Sequence, residues 1–439
     1  MEVKVENLEG LERKLTLALA WDDVNEQVTA RLKQMQKKAK VQGFRPGKAP
    51  LKMVESMYGQ GAREEVLNEK LQRDFYDVVV GQKIRVAGYP RFDAQETQDD
   101  EKVFKVDAVF EVYPEITVGD LSAKEVEKVV ANVGDAEIDQ TIEILRKQRT
   151  RYNHVERAAQ DGDRIIIDFV GKIDGEAFEG GSSENFPFVL GQGQMLPEFE
   201  AGLIGMKQGE SKDVEVSFPE DYHGKDVAGK TAVFTLTMQN VSEAALPEVD
   251  ADFAKALGIE DGDVAKMRAE VEKNVAREVK RRTEDKTKEN VMQALLDVTE
   301  ITVPKALVAE ETSRLMGEMR QNFINQGMDA NSLPDFPVEM FAAQAERRVS
   351  LGLILAQLVE DNKLEPKPEQ VEAVIAEFAE SYEDPKEVID WYKADAQRMQ
   401  GPSSLAVEAN VVAFVLGQAK AVEKAMSFDD IMAAQQGAM

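Results

Sequence analysis

Cysteine is absent from all 439 residues, which excludes disulfides, thiolate metal sites and a thiol nucleophile, and fits a reducing compartment. Histidine is almost absent. His154 and His223 stand far apart in sequence, so an imidazole-based metal centre is not expected. No apolar run approaches the roughly 18 residues that a bilayer span requires. The opening Met1-Glu2-Val3-Lys4-Val5-Glu6 also lacks a basic stretch followed by an apolar one, so a soluble cytoplasmic protein that does not enter a membrane is expected. Aromatic residues make up only 7%. Positive charge is scarce as well, with 54 basic against 82 acidic residues and a formal net charge of -28. Such a surface repels polyanions in general, so DNA is not an expected partner. What remains, 43% hydrophobic and 31% charged residues, is ordinary for folded protein, and the length suits two to four domains in an elongated or highly helical molecule.

Against this acidic background one stretch stands out. Between Arg31 and Lys52 lie eight basic residues, Arg31, Lys33, Lys37, Lys38, Lys40, Arg45, Lys48 and Lys52, and no acidic one. The stretch contains Gly43-Phe44-Arg45-Pro46-Gly47-Lys48-Ala49-Pro50. Its chemistry alone permits two readings. It can be a basic interhelical turn, in which glycines allow tight dihedrals and prolines stiffen the flanks. It can equally be a docking point, because an apolar Phe44 beside Arg45 and Lys48 suits RNA phosphates together with a hydrophobic contact on protein.

The chain reads as multidomain α+β. In residues 1–112, alternation at Leu11, Leu15, Leu17 and Leu19 and again at Phe104, Val106, Ala108, Phe110 and Val112 predicts two strands, each with one buried face. A helix capped by Asp22 or Asp23 should run toward Lys40. The Gly43 to Pro50 segment breaks it, and a second helix carries Val66, Leu67, Leu71, Phe75 and Val78. Residues 113–150 read as a connector with a short helix around Asp135 to Gln148. Residues 151–246 are crowded with glycines among short apolar runs, which predicts a small β-rich domain ending near Val241. From 247 to 439 the pattern is helical. A long helix bears Val264, Met267, Val271, Val275 and Val279 on one narrow face. Further helices are expected over Pro304 to Asn325, Val338 to Asp361, Pro368 to Ser381, Pro385 to Met399 and Ser403 to Glu423, forming arms or an open bundle.

The Gly43 to Pro50 stretch resembles the signature of the trigger factor family, ribosome-associated bacterial chaperones, and the whole chain follows that family's order of parts. The resemblance implies an α+β N-terminal ribosome-binding domain, an FKBP-like β-rich domain and an all-α C-terminal chaperone domain with helical arms. It implies that Gly43, Phe44, Arg45, Pro46, Gly47, Lys48 and Pro50 contact the large ribosomal subunit near the exit tunnel, where protein and RNA meet. Nascent and unfolded polypeptides would be the clients, kept in a folding- or export-competent state, and a homodimer away from the ribosome is left open. Many members carry a lysine where this chain has Pro46.

Within the glycine-rich part, Asp161-Gly162-Asp163, Asp168-Phe169-Val170-Gly171, Ala177-Phe178-Glu179, Leu190-Gly191-Gln192-Gly193 and Gly202-Leu203-Ile204-Gly205-Met206 resemble successive motifs of FKBP-type isomerases. Carried over position by position, the family's proline pocket would be lined by Phe169, Phe178, Glu179, Phe186 and Met195. Leu196, Phe199 and Phe234 complete it, with Tyr222 or His223 at the rim. Single-domain relatives have a tryptophan where this chain has Phe199, a tyrosine at Phe169 and an aspartate at Glu179.

The residue types suit the implied chemistry. Rotation about an X-Pro bond crosses a barrier of about 18–20 kcal/mol set by amide resonance, so no nucleophile is needed. An aromatic pocket that strips water from the imide favours the twisted state. Gly191-Gln192-Gly193 lacks the third glycine and lysine of nucleotide loops, so no cofactor, no metal and no ATP use are expected. Ten of the 17 methionines follow Pro247, among them Met316, Met319, Met328 and Met340. They suit ordinary packing or an adaptable client surface. Two other functions compete with the ribosome-bound chaperone: a free-standing isomerase, and a nonenzymatic scaffold.

Overall fold

The computed structural model describes residues 5–38, 44, 47–95, 102–222, 224, 227–330, 332–380, 382 and 384–433. The alternation around Leu15 becomes β2 (Glu12–Ala20), preceded by β1 (Val5–Asn7) and followed at once by α1 (Trp21–Gln36). Asp22 and Asp23 lie inside the first turn of α1, where negative charge complements the helix dipole, while Ala20 holds the cap position without a side-chain bond. The expected aspartate cap is therefore corrected. After Pro50 comes α2 (Leu51–Gly81), then β3 (Val86–Ala94), β4 (Val103–Val112), β5 (Glu125–Val130) and α3 (Asp135–Gln148).

The glycine-rich part forms β6 (Arg151–His154), β7 (Arg164–Ile173), β8 (Glu176–Val189), α4 (Pro197–Leu203), β9 (Ser211–Ser217) and β10 (Thr231–Ala245). Beyond it lie α5 (Ala251–Ala256), α6 (Val264–Val298), α7 (Lys305–Asn325), α8 (Glu339–Asn362), α9 (Pro368–Ala379), α10 (Pro385–Lys393) and α11 (Gln400–Gln418). The chain closes with β11 (Lys420–Ala425) and α12 (Phe428–Ala433). The region after 247 is thus helical with one exception. The strand β11 continues from α11 and pairs with β5, Lys420 N–H donating to the Lys124 carbonyl at 3.0 Å. No helix of the described residues is long and apolar enough to cross a membrane.

Two units divide the chain: Met1–Lys128 with Lys286–Lys424, and Val129–Asp285 with Ala425–Met439. In the first, an antiparallel sheet in the order β1-β2-β4-β3 is covered by α1 and α2. Its core contains Leu15, Val24, Val54 and Phe75, whose ring meets Phe110 edge-on at 5.0 Å. Helices α6, α8 and α11 share a separate core of Leu295, Ile354, Val411 and Val415, all fully buried. The antiparallel pair α7 and α8 closes over Leu315, Phe341 and Ala345, and Phe323 stacks on Phe336 at 5.7 Å. The N-terminus of α7 meets the first sheet, with Ala306 N–H donating to Glu111 Oε2 at 2.7 Å.

The second unit contains a five-stranded antiparallel sheet in the order β6-β10-β7-β8, with β9 also pairing along β10. The long strand β10 serves both neighbours on one side because a bulge between Met238 and Asn240 bends it. Helix α4 lies over the apolar face of this sheet, burying Phe199 and Leu203 with Ile165, Ile167, Leu236 and Met238. A further core joins Ile138 and Ile142 of α3 to Phe253, Phe428 and the α6 stripe. Met267, Val271, Val275 and Val279 of that stripe are all buried, as its spacing predicts.

Candidate active site

Between α4, β9 and the sheet lies a cavity of about 520 Å³. Strand register places its floor. In β7, Phe169 and Gly171 point to the same face, opposite Leu236 and Phe234 of β10. Gly171 is required by space. A Cβ there would lie 2.5 Å from Phe234 Cε1, so only a bare backbone lets that ring lie across the strand. Phe199 then stands between Phe169 at 5.6 Å and Phe234 at 5.3 Å, edge-to-face with both, a geometry that aromatic quadrupoles favour. Phe178 meets Phe234 edge-on at 6.1 Å and forms one wall.

Met195 and Leu196 precede α4 and line the same cavity, as do Glu179 and Tyr222. Phe186 packs against Phe169 at 5.7 Å and Phe188 at 6.0 Å, outside the set of lining residues. His223 falls outside the described residues. Sequence reasoning missed Phe218, Val216 and Val227, which also line the cavity. Phe218 sits beside Tyr222 at 4.9 Å and Phe178 at 6.2 Å. The signal was available, since Val214, Val216 and Phe218 alternate along and just past β9. Among the described lining residues the ionisable groups are Glu179 and Tyr222, and none is a cation.

At the start of β7 a half-exposed Arg157 pairs with the buried Asp163. Arg157 Nη1 and Nη2 reach the two Asp163 oxygens at 2.5 and 2.9 Å. Burial raises the Asp163 pKa, but the Arg157 guanidinium and the Gln160 N–H together more than offset it and hold the carboxyl below its ordinary value. Arg157, hydrogen-bonded to Asp163 and Glu243, is raised above its own.

The basic stretch runs from the last turns of α1, which hold Arg31 and Lys33, to Lys52 at the start of α2. Phe44 is 40% exposed, and Gly47, Lys48 and Pro50 are exposed as well. Gly43, Arg45 and Pro46 lie outside the described residues. Just before α2, Gln36 Nε2 donates to the Ala49 carbonyl at 2.5 Å, and Ala49 itself is buried. Arg31 belongs to the scaffold, since its guanidinium is paired with Glu65 of α2.

An aromatic-floored cavity on a bent antiparallel sheet agrees with what comparison shows. Residues 155–239 match the FKBP-type peptidyl-prolyl cis-trans isomerases, and the protein is an enzyme of that class. Residues 1–145 match bacterial trigger factor protein, and residues 263–417 its C-terminus. The trigger factor of Neisseria meningitidis serogroup B is 68% identical over 435 residues, 99% of this chain and all of that protein. That of Laribacter hongkongensis is 62% identical over 433 residues, covering 98% and 99%. That of Chromobacterium violaceum is 61% identical over 435 residues, covering 99% and 100%. The chain belongs to the trigger factor family. It is a ribosome-associated chaperone of nascent chains that also isomerises X-Pro bonds.

Proposed function

We propose that the cavity bounded by Phe169, Phe178, Phe199, Phe218 and Phe234 is the proline site. The observation that carries this reading is the edge-to-face set of rings around Phe199, which offers an apolar seat of the right chemistry for a pyrrolidine ring. Once seated, the imide loses water on its apolar side. Its planar, resonance-stabilised form is more dipolar than the twisted one, so an environment of phenyl rings favours the twisted state. No bond forms or breaks. The Tyr222 hydroxyl at the rim supplies a hydrogen bond to the substrate carbonyl, and Met195 and Leu196 contact the residue before proline. Phe186 supports Phe169 from behind. Glu179 lines the same seat.

Replacement of Phe199 by alanine tests this. Catalysis on a proline tetrapeptide is expected to fall at least about a hundredfold while the far-ultraviolet circular dichroism is kept, since the variant removes a surface that acts mainly in the transition state. A variant that isomerises at the wild-type rate overturns the reading.

The exposed Phe44 and Lys48, with Ala49 beside them held by Gln36, support docking on the large ribosomal subunit near the exit tunnel, with Phe44 against protein and Arg45 and Lys48 against RNA phosphates. On this reading residues 1–112 dock, 113–150 connect, 151–246 isomerise and 247–439 hold clients. The protein works in the cytoplasm, with neither DNA nor membrane as partner. Exposed apolar side chains on the helical part, including Met340, Tyr382 and Trp391, support its role as client surface.

A further inference from the structure

Beside the cavity, two backbone N–H groups converge on one carboxylate. Gly191 donates to Glu200 Oε2 at 3.0 Å and Met195 donates to Oε1 at 3.1 Å. Glu200 is only 8% exposed, which is unusual for a glutamate. It follows Phe199 on α4, and successive residues point about 100° apart around a helix. Phe199 thus faces the cavity while Glu200 faces the loop beside it.

That loop builds part of the cavity wall, through Gly193, Gln194, Met195 and Leu196. Its entry is fixed independently of Glu200. Leu190 N–H donates to the Asp163 carbonyl and the Leu190 carbonyl accepts from Gly162 N–H, both at 3.0 Å. At Gly191 the backbone has φ +83°, and a Cβ would fall 1.7 Å from Asp161 Oδ1, so glycine is demanded by conformation and by space. Glu200 therefore closes the loop, holding both ends with the two oxygens of one side chain.

We propose that Glu200 is a positioning residue of the isomerase, setting the Gly191 to Met195 wall against the bound peptide. This rests on the cavity being the proline site. Both oxygens of the carboxylate are used, Oε2 by Gly191 and Oε1 by Met195. A glutamine would offer one oxygen and turn its NH₂ toward the other N–H. Loosening the wall leaves the rings around Phe199 intact. The wall touches the planar and the twisted peptide alike, so a looser wall weakens binding and leaves turnover as it was.

The test uses the full chain and a proline tetrapeptide. Glu200→Gln is expected to raise KM about tenfold with kcat kept within about twofold. Unchanged kinetics, or a fall in kcat at unchanged KM, overturns the proposal. Should the variant not fold, amide hydrogen exchange in the wild-type chain decides. Gly191 and Met195 are expected to be protected to the degree of β7, and free exchange at both refutes the clamp. Phe199→Ala separates the two levels. Wild-type catalysis there removes the proline site, while a lost activity there with unchanged Glu200→Gln kinetics removes only the role of Glu200.

Discussion

Asp163 illustrates how a single residue ties stability to pH. Its carboxyl, held below the ordinary value, contributes stability that is complete above the unfolded pKa near 3.9 and is lost as pH falls through the lower folded value. Asp163→Asn leaves Arg157 without its main partner, and a loss of about 1–3 kcal/mol at neutral pH is expected. Thermal unfolding at pH 7 and at about pH 3 should show the gap between variant and wild type shrinking with acid. A gap that stays constant would mean that the pair does not set the acid limit. At this scale the aromatic floor was legible, because Phe169 and Phe178 stand in motifs that carry the resemblance, and the positions of Phe199 and Phe234 follow from it. Glu200 was not. A glutamate within Pro197-Glu198-Phe199-Glu200 reads as a solvated helix face, and only its burial and two backbone partners mark it out.

Some helices with local start and stop signals matched their expected limits, but the helix expected over Pro385 to Met399 ends at Lys393, and the one expected over Ser403 to Glu423 spans Gln400–Gln418 and gives way to β11. Helix α7 begins one residue after Pro304, and α3 covers Asp135–Gln148, since prolines, acidic first turns and basic last turns act locally. Strand β3 went unread. Val86-Ala87-Gly88-Tyr89-Pro90 looks like a turn, and it becomes an edge strand only because a bulge between Ala87 and Arg91 absorbs the misfit against β4. Strand β11 is exposed throughout and has no alternation that betrays it. The α7 and α8 pair rests on a small cluster of its own around Leu315. Leu315→Ala should cost this pair about 2–4 kcal/mol, because so small a cluster has few neighbours to refill the space. Hydrogen exchange is expected to quicken across α7 and the start of α8 while β7 and β10 keep their protection. Equal loosening of all four would show that the cluster is not an independent packing unit.

On the scale of the whole molecule, strong negative charge sets the basic stretch apart as the proposed place of approach for an anionic partner. Phe44→Ala, Arg45→Ala and Lys48→Ala together are expected to abolish cosedimentation with ribosomes while tetrapeptide isomerisation persists. Wild-type binding should weaken steeply between about 50 and 200 mM salt, since each neutralised phosphate releases counterions. Cosedimentation by the triple variant at the wild-type level would move the docking site elsewhere. The division of the chain was not legible at this scale. Residues Met1–Lys128 form one unit with Lys286–Lys424, and the stretch Val129–Asp285 is inserted between them, the boundary falling inside α6.

The sequence by itself determined the family, the order of parts, the aromatic character of the proposed proline site and the basic stretch around Phe44. Those rest on residue types and spacings that act locally or occur in ordered motifs. Tertiary structure alone decided that Phe218 and Val216 line the cavity, that Glu200 accepts from Gly191 and Met195 and that α7 starts against Glu111. Each of these joins backbone or side chains whose meeting depends on strand register and helix packing. Periodicity reports which face of an element is buried, not what covers it.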